Sequence, residues 1–179
     1  MSPFETEDVI LRECRRTLLA RRLILHGVRT NIITQLTGMT RGRLNTLRRR
    51  RLMIPDEARF RGTAKSAVTV FLSEPLARAE GAAIAALFAV FEIPIECRAP
   101  SIPKRVSLPF VERLCATYEA YRACYPRTKV QLEEIIDLRG TLARGDRIRL
   151  GKCRGCTCLL VIDRYDGSLE CLHCGAPAG

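Results

Sequence analysis

Tryptophan is absent from this 179-residue chain, aromatic residues make up only 6%, and there are two histidines, His26 and His173. So few rings leave nothing to interleave with cations as a stacking platform for single-stranded RNA. Two histidines and no glycine-rich phosphate loop leave no nucleophile–base pair at a recognisable spacing, so the chain is not expected to be an enzyme. His26, beside Gly27, reads as a helix-end residue. Long apolar runs are also missing. The most apolar stretch, residues 81–91, is flanked by Glu80, Glu92 and Pro94 and is too short to span a bilayer. The opening residues are acidic rather than basic, which argues against a secretory signal and for a cytoplasmic address with no membrane partner.

Acidic residues are scarce as well: 19 Asp and Glu stand against 30 Lys and Arg, a formal charge of +11. That excess favours a polyanionic partner. Nine cysteines in a reducing compartment point to metal binding before disulfides. Cys14, Cys97, Cys115 and Cys124 are expected to be small buried apolar residues.

Hydrophobic spacing predicts helices almost to residue 150, so the expected fold class is mainly α with a small C-terminal β module. The expected domains are a helical one over 1–146 and a metal-binding one over 147–179. Residues 9–25 carry Ile10, Leu11, Cys14, Leu18 and Leu25 with arginines between them, an amphipathic helix with a basic face. Residues 55–66 and 93–105 read as irregular connections. One or two helices over 66–91 should break near Pro75, and further helices are expected from Leu108 to the break at Pro126 and over 130–142.

Residues 30–52 fit a helix-turn-helix. A short helix over 31–36 ends at Gly38, Thr40 can cap the next, and that helix reads RGRLNTLRRRR. Ile33, Leu36, Met39, Leu44 and Leu47 would form its small core. Arg41, Arg43, Asn45, Thr46, Arg48, Arg49 and Arg50 would then face double-stranded DNA. Arginine suits guanine edges and phosphate, and asparagine suits adenine.

At the other end, Cys153 and Cys156 form one C-x2-C pair and Cys171 and Cys174 a second. Two such pairs at this spacing are a zinc signature, and a closed shell of four thiolates makes one structural Zn2+ per chain the expected cofactor. Cys158 and His173 are expected outside that shell. A hairpin should lie between the pairs, with strands near 159–162 and 168–170 around an Asp166–Gly167 turn. The alternative function is a zinc-ribbon assembly factor whose basic face is merely solvated.

Three stretches carry a resemblance. ARRLILHGVRTNIITQLTGMTRGRLNTL, then YEAYRACYP, then GKCRGCTCLLV and ECLHC resemble, in order and spacing, the FlhC family, a subunit of the flagellar master transcriptional activator. Thr37 to Leu44 matches that family's Thr-x-hydrophobic-(Ser/Thr)-Arg-Gly-Arg-Leu core. The resemblance implies a helical activator with zinc on Cys153, Cys156, Cys171 and Cys174. It also implies a hetero-oligomer with an FlhD-like partner on promoter DNA, with RNA polymerase as a further candidate partner and flagellar operons among the targets.

Overall fold

The computed structural model describes residues 9–52, 65–95, 107–165 and 170–176. Among them are seven α-helices and one two-stranded sheet, so the chain is mainly helical with a small C-terminal β element. The expected irregular connections fall largely outside the described residues. The compact units part elsewhere than at residue 146. One comprises the described residues of Met1–Arg61 and Val106–Glu112, and the other those of Gly62–Arg105 and Arg113–Gly179.

In the first unit, α1 (Val9–Leu25) buries Leu19, Ala20, Leu23 and Ile24. The apolar positions expected to face a core are on the other side: Leu11, Leu18 and Leu25 are 60%, 64% and 59% exposed. The helix is apolar along two stripes, and among the described residues only one is buried. Cys14 is likewise exposed, which corrects its reading as a buried residue. α2 (Thr30–Thr37) and α3 (Arg41–Thr46) are joined at Gly38, whose φ of 70° closes α2 through an N–H to Thr34 O. An L-residue is strained there, and glycine is not. Thr40 caps α3 by accepting from the Arg43 N–H. Ile33, Leu36, Met39, Leu44 and Leu47 are all buried, as the helix-turn-helix pattern requires. From Leu47 to Arg51 the helix widens into a π-helical turn.

In the second unit, α4 (Ala67–Phe71) and α5 (Pro75–Val90) part at Pro75, which takes the first helical position of α5. α6 (Leu108–Cys124), whose residues up to Glu112 belong to the first unit, buries Val111, Leu114, Cys115, Tyr118 and Tyr121. Cys124, at its end, is exposed, and Cys97 lies outside the described residues. α7 (Leu132–Arg144) starts with a capping box: Gln131 and Glu134 bond each other's backbone N–H. Glu134 thus helps to start the helix.

β1 (Ile148–Lys152) and β2 (Leu159–Asp163) pair antiparallel, with Lys152 opposite Leu159. The hairpin thus joins β2 to the strand before the first cysteine pair, and residues 153–158 form its loop. The expected partner strand at 168–170 and the Asp166–Gly167 turn lie, save Glu170, outside the described residues. β2 packs on α5, where Gly81 lets Phe71 and Val161 approach.

Candidate functional site

Two knuckles of the same backbone plan carry the cysteines. In the first, the Cys153 N–H donates to Cys158 O and the Thr157 N–H donates back to Cys153 O, at 2.9 and 3.0 Å. In the second, the Cys171 N–H donates to Ala176 O and the Gly175 N–H to Cys171 O, both at 2.8 Å. The residue after each pair turns left-handed: φ is 61° at Thr157 and 73° at Gly175. That turn folds each C-x2-C so that both thiols point inward.

The knuckles meet tightly. A Cβ at Gly155 would lie 3.0 Å from Ala176 Cβ and 3.1 Å from Cys174 Sγ, so a larger residue there would press the knuckles apart by a few tenths of an ångström. Cys153 and Cys174 stand 3.4 Å apart, and Cys156 and Cys171 3.6 Å. All four cysteines expected as ligands are thus drawn into one cluster. The expectation for Cys158 needs correction: its Sγ lies 3.3 Å from both Cys156 and Cys171. Cys153, Cys156, Cys158 and Cys171 have their sulfurs within 4.8 Å of one another. The C-x-C spacing was visible in the sequence, but the backbone bond that turns Cys158 inward was not. Cys153 and Cys171 are buried.

Backbone N–H groups favour the thiolate form at two of the cysteines, Cys171 and Cys153. N–H groups of Cys174 and then His173 aim at the Cys171 sulfur, and its thiol is lowered to about 6. Cys153 is lowered too, chiefly by the Cys156 N–H, with the Gly155 N–H 3.3 Å from its sulfur. A thiolate, not a thiol, is the metal ligand. Clustered soft donors of this kind suit a thiophilic ion held in a tetrahedral shell.

The basic helix is sorted by burial. Arg41, Arg43, Thr46, Arg49 and Arg50 are exposed and Asn45 is half-buried. The Thr46 hydroxyl donates to Gly42 O in its own helix. Arg43 donates to Glu13 on α1 at 3.0 Å, and Glu13 also pairs with Arg16. Arg48 corrects the expectation of an exposed face. It is 7% exposed, and its guanidinium donates to Thr30 Oγ1 at 2.7 Å and Val28 O at 3.2 Å. Leu44, Leu47 and Arg48 fall at i, i+3 and i+4, so Arg48 continues the buried stripe and ties the helix to the start of α2.

Fold and site together define a class: a mainly helical chain whose C-terminal hairpin and second knuckle gather cysteines fit to hold a metal ion. No family model and no curated protein matches this chain. Among the described residues, no helix is long and apolar enough to cross a membrane.

Proposed function

We propose that this chain is a DNA-binding subunit of a bacterial transcription regulator resembling FlhC, acting in the cytoplasm on promoter DNA beside an FlhD-like partner. The observation that carries this reading is the short helix after the Gly38 turn. It buries Leu44, Leu47 and Arg48 and leaves Arg41, Arg43, Arg49 and Arg50 exposed. A helix so anchored can enter a major groove, where arginines meet guanine edges and phosphates. The net charge of +11 adds long-range attraction.

Support for a partner subunit comes from α1. Leu11, Leu18 and Leu25 recur every seven residues and are exposed, with Arg12 and Arg21 exposed beside them. That edge suits a partner helix with an apolar seam and acidic flanks. Zn2+ is the ion proposed for the cysteine cluster, one per chain and structural, since a filled thiolate shell leaves no position for substrate.

The test is duplex binding across a salt series with wild type and an Arg41→Ala/Arg49→Ala/Arg50→Ala variant. Each lost phosphate contact flattens the log–log salt slope by about 1, so the variant binds more weakly with a slope shallower by up to about 3. Equal affinity and slope in the two proteins overturn the DNA reading and favour an assembly factor.

A further inference from the structure

Five thiols converge where a tetrahedral ion accepts four. The shared backbone plan makes Cys156 the counterpart of Cys174, and Cys158 the counterpart of Ala176. By that symmetry the shell is Cys153, Cys156, Cys171 and Cys174. By proximity it is Cys153, Cys156, Cys158 and Cys171. Metal–sulfur bonds of about 2.3 Å in a tetrahedron set sulfur–sulfur edges of about 3.8 Å. The contacts of Cys158 with Cys156 and Cys171, both 3.3 Å, and of Cys174 with Cys153, 3.4 Å, sit comparably close to that edge. Neither candidate is held away from the cluster by the fold. Cys158 is fixed by the hairpin through its carbonyl, whereas Cys174 belongs to an exposed turn.

We propose that Cys153, Cys156 and Cys171 are fixed ligands of one thiophilic divalent ion, and that Cys158 and Cys174 exchange at the fourth position. In the exchange, the metal bond to the Cys174 sulfur breaks as the Cys158 thiolate forms its own. The proton leaving Cys158 passes through water to Cys174, and neither the metal nor any sulfur changes oxidation state. The ion therefore stays four-coordinate while one thiol is always outside the shell. In the Cys158-bound state that thiol is the exposed Cys174, open to a soft electrophile or to a second metal carrier. This inference rests on the metal-site part of the proposed function and is independent of DNA binding.

The experiment uses the full chain as wild type, Cys158→Ser, Cys174→Ser, the double variant and Cys171→Ser. Metal content is measured after zinc loading, and thiolate number is read from the absorption of the Co2+-substituted proteins. Both single variants at the fourth position should keep one ion per chain and a four-thiolate cobalt spectrum. The double variant should show three thiolates and a zinc affinity weaker by on the order of 100-fold, comparable with Cys171→Ser. Loss of the four-thiolate spectrum in either single variant overturns the exchange and assigns the fourth position to the residue removed. An unchanged spectrum in the double variant overturns it too. The single variants decide the matter even if the double variant fails to fold. Wild type that binds no ion overturns the metal reading itself, a separate outcome.

Discussion

Arg43 and Glu13, thirty positions apart in the chain, are joined by a 3.0 Å charge-assisted hydrogen bond. An arginine proposed to face DNA is thus held by a carboxylate of its own protein, and a DNA phosphate would have to compete with that carboxylate for it.

Glu13→Gln should therefore strengthen duplex binding, by about two- to fivefold, the range set by an exposed ion pair. Fluorescence anisotropy at low salt reads the change, and weaker binding by the variant would contradict it. The carboxyl of Glu13 is held below its ordinary value of 4.5, chiefly by the Arg43 hydrogen bond. A folded-state value depressed in this way adds stability above the ordinary carboxylate range, and that addition fades as pH falls through it. The difference in stability between wild type and Glu13→Gln should accordingly shrink on acidification.

Arg48→Ala should destabilise the first unit by about 2 kcal/mol, because it strips a charged donor from Val28 O and Thr30. Arg50→Ala, on the exposed side, should leave stability nearly unchanged. Urea unfolding of the two variants separates them. Equal midpoints would mean that the Arg48 hydrogen bonds contribute nothing.

Thr157→Gly should raise the stability of the metal-loaded protein by about 1 kcal/mol, since a β-branched residue at a left-handed φ is strained. Gly175→Ala, at the matching turn of the second knuckle, should lower it by a similar amount. A thermal melt that moves in the opposite direction for either change would show that the turns do not carry this strain.

Much of this was legible in the chain. The break at Pro75, the turn at Gly38 and the cap at Thr40 follow from single residues with one strong backbone preference. The paired C-x2-C spacing announced the cysteine cluster. Other features needed the fold. Arg48 lies four residues after Leu44, so its place on the buried stripe could have been counted, but its charge argued for the surface. Helix α1 has apolar residues on two sides, and periodicity alone does not say which side is covered. The β1–β2 pairing was hidden as well, because the loop that joins those strands, residues 153–158, is itself the first C-x2-C motif. Cys158 looked redundant because sequence spacing reports symmetry, not where a carbonyl five residues on pulls the backbone.

The π-helical turn over Leu47–Arg51, closed by the Leu52 N–H on Leu47 O, spends one residue more than an α-helical revolution. The arginine tract is therefore counted as well as charged. A chain with one arginine fewer in that tract could close the same revolution as ordinary α-helix, and Leu52 would keep nearly the same bearing while the cations before it were redistributed around the axis. The extra residue is absorbed within the turn, so the length of the tract decides where its cations point as surely as its composition sets its charge.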